Sequence, residues 1–515
     1  MTVVIIGGGP TGITAATLLA RYGVPTLVLD RWETVYPQPR AVHLDDEVFR
    51  LLGRLGLRDR FAAISRPALG LRLVDRDLRS LAEFRRDRTA GVHGHPQANM
   101  FDQPELEELL RANLAGHPEV RLRGGVEVTD VSPAGPGRTR VAFTDVATGR
   151  EESVSAAFVL GCDGARSVVR QSIGSHMVDL GPEQRWLVVD VETAADLGHW
   201  EGVHQVCDPE RTATFMRVGE HRYRWEFRLR PDESAGAYAD LGALRPLLGP
   251  WLPAVDPPDL HLLRCAEYTF RAQIADRWRK GGIFLLGDAA HLTPPFVGQG
   301  LGAGLRDAAN LCWKLAGVLH GDLPERVLDT YEAERRPHAR AMIRLAVTIG
   351  RFMTEGGRTG DLLRRVLAPR VHLLPGLRER VLDSATPPLN RSMLVTGSRR
   401  HRRLVGTLCP NLELGDGIRF DDHVGDRFAL VTAAPLTPRQ RAAVEARGAV
   451  VVPAADGPLA RWLAHGRAQG AVVRPDGAVL LASDDPEQLC AAVPVFAAGS
   501  RGERAPRVTG VQAAP

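Results

Sequence analysis

The chain has 515 residues, of which 44% are hydrophobic and 24% are charged. This length allows three or four domains, and the composition excludes a disordered chain or a coiled coil as the main class. No apolar run approaches the ~20 residues that span a bilayer. The N-terminus enters a strand-like segment without a basic leader, so we expect a cytoplasmic protein without a membrane partner.

The net charge of +4 is small, but Lys280 and Lys314 are the only lysines among 65 basic residues. Such an arginine bias, beside abundant alanine, glycine and proline, is typical of GC-rich coding. No basic stripe or reader motif accompanies it, so no nucleic-acid partner is predicted. The six cysteines form no C-x-x-C pair, which argues against a disulfide framework or a structural metal site.

The first elements predict a dinucleotide-binding βαβ unit. The apolar run 2–6 ends in Gly7, Gly9 and Gly12, which fit G-x-G-x-x-G and open a helix. These glycines permit a tight turn and close approach to a pyrophosphate, and the helix N-terminus faces the anion. The next strand ends at Asp30, and an acid there accepts hydrogen bonds from a ribose diol and disfavours a 2′-phosphate. The ligand predicted is therefore FAD or NAD rather than NADP.

Residues up to about 160 continue the α/β pattern. We predict helices at roughly 40–60 and 102–115, and strands at 71–75, 119–128, 139–144 and 153–160. Asp163 follows the last of these strands, in the run GCDGARSVVR. A carboxylate at a strand end can accept hydrogen bonds from a ribose or ribityl hydroxyl, although a helix N-cap gives the same pattern.

Between Arg185 and Phe270 the pattern changes to β-rich segments such as WLVVDVET and RYRWEFRLR. Alternation with period two predicts a mostly antiparallel sheet. We expect this sheet to be inserted into the first domain, since an apolar strand at 283–286 then returns to the earlier pattern.

That returning strand ends at Asp288, in the run GDAAH, and a glycine-rich run from Pro294 to Gly304 then opens a long helical region to about Met353. The glycines leave N–H groups exposed at a helix start, where they can stabilise negative charge on a reduced flavin. Three such motifs in this order are what one large dinucleotide needs, which favours FAD.

The C-terminal part is predicted to be a separate unit. From Asp426 the order is strand, helix, strand, helix, hairpin and helix, which favours a thioredoxin-like module. It has no C-x-x-C, so redox activity there is not expected. The tail from Gly499 is rich in glycine, arginine and proline and is predicted to be flexible.

On these residues the sequence resembles the group A flavoprotein aromatic hydroxylases, the para-hydroxybenzoate hydroxylase family, over about residues 3–315. It resembles more specifically the 3-(3-hydroxyphenyl)propionate hydroxylase subfamily. The stretches that carry this second resemblance are Pro39-Arg40-Ala41, Asp45-Asp46-Glu47, Trp186 to Asp190, Cys207-Asp208-Pro209 and Leu328 to Met342.

The resemblance implies an α/β fold with a discontinuous Rossmann-like FAD-binding domain, formed by 1–180 and 275–350. An inserted, mostly antiparallel substrate-binding sheet is expected at 181–274, with part of 70–100. A connector at 351–400, a thioredoxin-like C-terminal domain at 401–498 and a flexible tail at 499–515 follow. The family also suggests a homodimer.

The cofactor-binding residues that the resemblance implies are Gly7, Gly9, Gly12, Asp30, Arg31, Arg40, Gln103, Asp163, Asp288, Gly298, Leu301 and Gly302. Asp30 is expected to hold the adenosine ribose, although the family more often has glutamate there. Gln103 and Asp288 are expected at the ribityl chain. Leu301 and Gly302 are expected to offer N–H groups to the flavin pyrimidine edge, although the family often has asparagine at the second position.

The implied reaction is hydroxylation of a phenolic ring with NAD(P)H and O2, through a C4a-hydroperoxide on the reduced FAD. No second G-x-G-x-x-G unit exists for the nicotinamide, which is therefore expected to bind transiently along a groove. The protein must exclude water and help to ionise a phenol whose pKa is near ~10.

His43 and Pro295 are the candidate catalytic residues. The family places a residue that faces the flavin three positions after Arg40, and histidine is the usual acid–base residue. Pro295 is implied to lie beside the flavin ring. Other candidates to activate the phenol or pair with a carboxylate lie in the β-rich segment, and each also fits a packed or solvated role: His204, Tyr223, Tyr268, Arg217, Arg222 and Arg224.

Three other functions remain open from the sequence. The same scaffold serves oxygenases that tailor larger aromatic polyketides, by hydroxylation or Baeyer–Villiger insertion. A flavin-dependent reductase or halogenase is a further class, although the halogenase is disfavoured because no W-x-W-x-I-P segment is present. A flavin-binding protein without enzymatic activity is the third alternative.

Overall fold

A computed structural model describes residues 2–38, 40–89, 91–208, 210–252, 259–354, 386–414 and 417–497. The predicted flexible tail and most of the predicted connector at 351–400 lie outside these residues.

The strands alternate with helices over the first part of the chain and again near its C-terminus. In chain order they are β1 (Val3–Ile6), β2 (Thr26–Leu29), β3 (His43–Asp45), β4 (Ser65–Pro67), β5 (Gly70–Val74), β6 (Ser80–Arg85), β7 (Ala98–Phe101), β8 (Val120–Arg123), β9 (Val126–Pro133), β10 (Thr139–Asp145), β11 (Glu151–Ala156), β12 (Phe158–Gly161), β13 (Met177–Asp179), β14 (Gln184–Glu192), β15 (Val203–Val206), β16 (Ala213–Arg217), β17 (Arg222–Arg228), β18 (His261–Phe270), β19 (Gln273–Ala275), β20 (Arg279–Lys280), β21 (Ile283–Leu285), β22 (His291–Leu292), β23 (Ala429–Thr432), β24 (Val450–Pro453), β25 (Gly470–Val473) and β26 (Val479–Ser483).

The α-helices are α1 (Pro10–Arg21), α2 (Asp46–Arg54), α3 (Arg58–Ile64), α4 (Gln103–Leu114), α5 (Val168–Ser172), α6 (Leu241–Leu248), α7 (Gly300–Leu319), α8 (Asp329–Thr354), α9 (Phe420–Val424), α10 (Pro438–Glu445), α11 (Gly457–His465) and α12 (Pro486–Ala492). The long helical region predicted after Leu305 is thus two helices, α7 and α8, separated by a short 3-10 turn at Glu325–Leu328.

A six-stranded sheet forms the centre of the first domain, with the strand order β20-β21-β12-β1-β2-β8. The strands β21, β12, β1, β2 and β8 run parallel to one another. All four residues of β1 are buried, as expected for a strand covered on both faces. The parallel arrangement brings the carboxyl ends of β1, β2, β12 and β21 to one edge, where ligands bind in sheets of this type.

A second, seven-stranded sheet has the order β18-β14-β17-β16-β15-β5-β6. Its pairs are antiparallel except β15 with β5, so the predicted mostly antiparallel pattern is confirmed. One face buries Leu187, Val189 and Trp225 against α6 and its neighbours, and we call it the outer face. The opposite face is polar and is described below with the site.

The single helix predicted at roughly 40–60 is wrong. His43–Asp45 forms β3, which pairs with β7, and α2 and α3 follow with a break at Gly56, whose φ is +81°. The Asp45 carboxylate accepts the N–H of Val48 at 2.9 Å and so caps α2. The helix begins where it does because β3 pairs with β7, more than fifty residues away, and because Asp45 caps α2. The local apolar pattern of the sequence shows neither of these contacts.

The C-terminal unit contains a four-stranded sheet of order β24-β23-β25-β26, with α10, α11 and α12 between or after its strands. The order of elements is the one the sequence predicts. This unit packs on α7, where Trp313 contacts the rings of Phe428 and Phe496.

A buried ionic cluster joins the C-terminal unit to the first domain. Glu334 on α8 accepts hydrogen bonds from Lys314 at 2.9 Å and from Arg474 at 3.0 Å, and all three side chains are buried. Arg474 also lies 5.3 Å from the centre of the Trp313 ring. Because a buried charge without its partner is strongly destabilising, this cluster fixes the C-terminal unit on α7 and α8.

Candidate active site

The N-terminal glycines form a cradle at the carboxyl edge of the six-stranded sheet. Gly7 has a φ of +103°, and a Cβ on Gly12 would overlap the carbonyl oxygen of Gly7, so both positions require glycine. A Cβ on Gly9 would meet no atom within 4 Å. Open space therefore lies above the N-terminus of α1, where backbone N–H groups favour an anion.

Asp30, at the end of β2, is held by backbone donors. Its carboxylate accepts the N–H of Gly8 and, at 2.7 Å, the N–H of Trp32. Asp30 thus ties the glycine loop to the second strand, and any contact with a ribose would add to these bonds. Arg31 lies beside it on the surface, 5.7 Å from the Trp32 ring centre, and does not join the residues around the cleft described below.

Gln103, at the start of α4, supports the segment that contains Arg40. Its side-chain oxygen accepts the N–H of Ala41 at 2.6 Å and of Arg40 at 3.2 Å, while its amide donates to Glu107 at 2.6 Å. The Arg40 carbonyl in turn accepts from Arg224 of the seven-stranded sheet at 3.0 Å. This segment therefore bridges the two sheets.

Asp163 and Asp288 end neighbouring strands but have different surroundings. Asp163 accepts from the Ser167 hydroxyl at 2.6 Å and the Val169 N–H at 3.1 Å, so it supports the start of α5, although the N-cap residue is Ser167 and not Asp163. Asp288 is exposed to solvent, yet the surrounding protein raises its pKa by burial. Asp288 thus offers an accessible carboxylate at the carboxyl edge of the sheet, where a cleft for the ligand is expected.

The glycine-rich run forms one wall of this cleft. Pro295 begins a 3-10 turn that ends at Gly298, whose φ is +61°. A Cβ on Gly298 would lie 2.6 Å from Nδ1 of His43. The turn therefore lies directly against His43, and the two predicted features meet in space.

The N-terminus of α7 is held by a buried polar network. Asp45 accepts from Gln299 at 2.8 Å and from Arg306 at 2.6 Å, and Arg306 also donates to Gln299 at 3.0 Å. Burial alone would raise the pKa of Asp45, but the charge of Arg306 holds this pKa at about 2. The network positions Leu301 and Gly302, whose N–H groups lie in the first turn of the helix, where no intrahelical acceptor exists.

His43 is half-buried, and burial lowers its pKa to about 4, partly offset by Asp45. Nδ1 of His43 makes no hydrogen bond to the described residues. The imidazole is therefore neutral at pH 7 and retains a free ring nitrogen next to the glycine turn.

The polar face of the seven-stranded sheet is the opposite wall, and we call it the cleft face. It carries Asp190, Arg224, Glu226, Arg264 and Tyr268, which lie on β14, β17 and β18 at positions that point to one side. Arg224 donates to Asp190 at 2.7 and 2.9 Å, and both are buried. Burial and the charge of Asp288 raise the pKa of Tyr268, which places Tyr268 within electrostatic range of the sheet edge.

The other candidates of the β-rich segment have partners within the protein. Arg217 lies 3.1 Å from Glu201, and Arg222 pairs with Asp102. Tyr223 belongs to the core of the outer face, and His204 packs in the same region through contacts with Trp200 and Phe215. Sequence reasoning missed Asp190, Glu226 and Arg264. Their alternation with apolar residues predicts that they share one face of the sheet. The alternation does not show whether that face lines the cleft.

The residues present fit a flavin dinucleotide. The open cradle at Gly9 accommodates a pyrophosphate, Asp288 offers a carboxylate inside the cleft, and the first turn of α7 offers N–H donors at its far end. The start of α1, the end of β21 and the start of α7 meet around Thr11, because a Cβ on Gly287 or Gly304 would lie within 3 Å of its hydroxyl.

The family model of the FAD binding domain matches residues 1–346. A 3-(3-hydroxy-phenyl)propionate/3-hydroxycinnamic acid hydroxylase of Burkholderia vietnamiensis is 36% identical over 84% of this chain and 79% of its own. A probable NADH-specific resorcinol 4-hydroxylase of Rhodococcus jostii is 37% identical over 68% of this chain and 65% of its own. The crystal structure of aklavinone-11 hydroxylase with FAD and aklavinone has a TM-score of 0.78 and 25% identity, and covers 96% of this chain and 98% of that chain.

The fold and the cleft thus define a dinucleotide-binding flavoprotein. The chain belongs to the FAD-binding-domain family of flavoprotein hydroxylases and is an FAD-dependent aromatic monooxygenase. No helix in the described part of the chain is both long and apolar enough to cross a membrane.

Proposed function

We propose that the protein hydroxylates a small phenol, with NAD(P)H as electron donor and O2 as oxygen donor. The relatives named for 3-(3-hydroxyphenyl)propionate and resorcinol support a phenolic substrate. The geometry that supports the proposal is the contact between Phe296 of the glycine turn and Trp186 of the cleft face, whose ring centres lie 5.9 Å apart. One space therefore connects the dinucleotide edge with a buried polar sheet face, as a ring placed beside a flavin requires.

When bound, FAD supplies the redox chemistry: it accepts a hydride from the nicotinamide and activates oxygen. The chain binds and orients it. We propose that Gly7, Gly9 and Gly12 hold the pyrophosphate and that Leu301 and Gly302 donate N–H groups to the pyrimidine edge. The remaining proposed contacts are Asp30 and Arg31 near the adenosine, Arg40, Gln103 and Asp288 along the pyrophosphate and ribityl chain, Asp163 next to the nicotinamide groove, and Gly298 with Pro295 beside the ring.

We propose that aromatic rings at one end of the cleft keep water away from the reacting centre. The ring of Phe296 lies 5.9 Å from that of Trp186, which is on the cleft face and contacts Phe270. These rings join the glycine turn to the seven-stranded sheet. We propose that they close the site against solvent, because water would compete with oxygen transfer.

His43 is proposed to act in the site as a neutral hydrogen-bond acceptor rather than as an ion, because its pKa of about 4 leaves it uncharged at neutral pH. Replacement by alanine is expected to impair hydroxylation more than FAD retention. An unchanged rate and coupling would remove His43 from the site.

The seven-stranded sheet is proposed as the substrate-binding domain, at 181–274 with part of 70–100, and the four-stranded C-terminal unit at 401–498 as a thioredoxin-like domain. We also propose the discontinuous FAD-binding domain at 1–180 and 275–350, and a homodimer. Sedimentation of the holoenzyme tests the dimer.

A larger aromatic substrate is the second candidate, favoured by the similarity to a structure solved with aklavinone over 96% of this chain. The deciding experiment offers the holoenzyme a panel of simple phenols and polycyclic phenols with NADH or NADPH, and scores the oxygenated product. We expect product from a simple phenol. Nicotinamide oxidation that yields only peroxide with every simple phenol, together with product from a polycyclic one, would refute the first candidate.

A further inference from the structure

Glu226 is a buried carboxylate that the protein leaves without a partner. It lies in the middle of β17 and is 9% exposed. Among the described residues, no hydrogen bond or ion pair reaches its oxygens. Its oxygens are not among the fully buried side-chain atoms that lack a partner, so they keep access to the cleft and are open to a ligand there.

The neighbours of Glu226 on the cleft face do not supply the missing contact. Val188 and Thr214 are directly opposite it on the two adjacent strands. Val188 has no polar group, and Thr214 donates its hydroxyl to Gln205 at 3.1 Å. Arg224, two residues away on the same strand, gives two hydrogen bonds to Asp190 and one to the Arg40 carbonyl. Arg224 thus directs its donors to groups other than Glu226.

The Glu226 side chain points into the space that a substrate would occupy. Strand register and period-two alternation put it on the same side as Trp186, Asp190 and Tyr268. It is therefore between the Asp190–Arg224 pair and the end of the cleft where Trp186 and Phe296 meet. A ligand that fills this space must offer a hydrogen-bond donor to satisfy the carboxylate.

We propose that Glu226 is a catalytic residue that binds the substrate hydroxyl and acts as its base, an inference that rests on the proposed phenol hydroxylation. The phenolic O–H donates to the carboxylate. As the ring is oxygenated, that O–H bond breaks, the proton passes to Glu226 and the electron pair remains on the phenolic oxygen. The resulting electron density makes the ortho and para carbons better nucleophiles.

The surroundings tune Glu226 for this role. Burial raises its pKa, the charge of Asp190 adds to this rise, and the charges of Arg224 and Arg264 oppose it. A carboxylate with a raised pKa is closer to the ~10 of a phenol, and proton transfer becomes more efficient as the two pKa values approach each other. The same negative charge would repel a substrate carboxylate, so an acidic side chain on the ring must point away from Glu226.

The test compares Glu226→Gln with Glu267→Gln, which makes the same change on the outer face of the same sheet, on strand β18, where Glu267 pairs with Arg185 at 2.7 Å. The probes are resorcinol, 3-(3-hydroxyphenyl)propionate and a ring-fluorinated resorcinol, whose hydroxyl is more acidic. We expect Glu226→Gln to keep its FAD and to lose hydroxylation by ~100-fold with the unfluorinated probes. The loss should be smaller with the fluorinated probe, and Glu267→Gln should behave as the wild type.

A hydroxylation rate of Glu226→Gln within about twofold of the wild type would overturn the proposal. An equal loss of rate with fluorinated and unfluorinated resorcinol would also overturn it, because a base contributes less as the phenol becomes more acidic. If Glu226→Gln does not retain FAD, the same rate measurements on Glu226→Asp test the proposal. It keeps an acceptor on a shorter arm, so a lowered rate with a wild-type response to fluorine supports the proposal, and an unchanged rate overturns it. If the wild type hydroxylates no phenol, the proposed function itself fails.

Discussion

Gly302 offers a sharp test of how the start of α7 is held. A Cβ at this position would lie 2.8 Å from Nη1 of Arg306 and 2.8 Å from Cγ2 of Val48. The end of an arginine can usually move aside, but Arg306 is pinned by Asp45 at 2.6 Å and by Gln299 at 3.0 Å. We therefore expect Gly302→Ala to strain the network that positions the helix N-terminus.

The sign of the effect follows from two opposing magnitudes. Alanine in place of glycine inside a helix is worth roughly 0.5–1 kcal/mol of added stability. An extra methyl group in a tightly packed site costs about 1–3 kcal/mol. The second effect is the larger one here because both contacts are closer than van der Waals distance, so Gly302→Ala should lower the free energy of unfolding by about 1–2 kcal/mol.

The assay is denaturant unfolding of the FAD-loaded protein, with FAD release followed by fluorescence. Gly300→Ala is the matched control, since a Cβ there meets only Thr293 at 4.0 Å. We expect Gly300→Ala to leave stability unchanged or raised and Gly302→Ala to lower both stability and FAD retention. A stabilised Gly302→Ala protein would refute the reasoning and would show that Arg306 moves freely.

Three further predictions follow from the described contacts. Asp30→Asn weakens the acceptor for the N–H groups of Gly8 and Trp32. A hydrogen bond to a charged group contributes about 1.5–3 kcal/mol, so FAD titration should show roughly 10- to 100-fold weaker binding. Unchanged binding would show that these two hydrogen bonds do not support the FAD site. Glu334→Gln removes the buried countercharge of Lys314, whereas Arg474 keeps its pair with Asp476, and calorimetry should show the protein destabilised by about 3 kcal/mol, with exposed Glu445→Gln as an unaffected control. Burial lowers the pKa of His95 to about 3, so the unfolded chain binds the extra proton and stability should fall as pH drops from about 6.5 towards 3. His95→Phe should flatten that fall in acid unfolding curves, and an unchanged slope would contradict it.

The sequence predicts those parts of the site that depend on local chemistry. Glycines that follow a buried strand have a backbone reason to be there, and an acid at the end of a parallel strand must lie at the same sheet edge. Gly7, Asp163 and Asp288 could be placed from this alone. The alternation that predicts the seven-stranded sheet is equally local.

Contacts between distant segments were beyond that reasoning. Asp45 reads as an ordinary acid near a helix start, and its bond to Arg306 spans 261 positions. The β5–β6 hairpin joins the large sheet through a parallel pairing with β15, far along the chain. Glu226 is one of several polar residues in a strand that alternates polar and apolar side chains. Only the tertiary structure reveals that Arg224 pairs with Asp190 and leaves Glu226 without a hydrogen bond from the described residues. A carboxylate's importance here depends on which donors are already occupied, and this requires the tertiary structure.

As a monooxygenase, this protein is expected to insert one oxygen atom of O2 into a phenolic ring. The most direct measurement is a turnover of the FAD-loaded protein under ¹⁸O₂, with NADH or NADPH and a phenol from the panel, followed by mass spectrometry of the product. We expect a hydroxylated ring that carries one ¹⁸O atom. Unlabelled product, or nicotinamide oxidation that yields only labelled peroxide with every phenol, would contradict it.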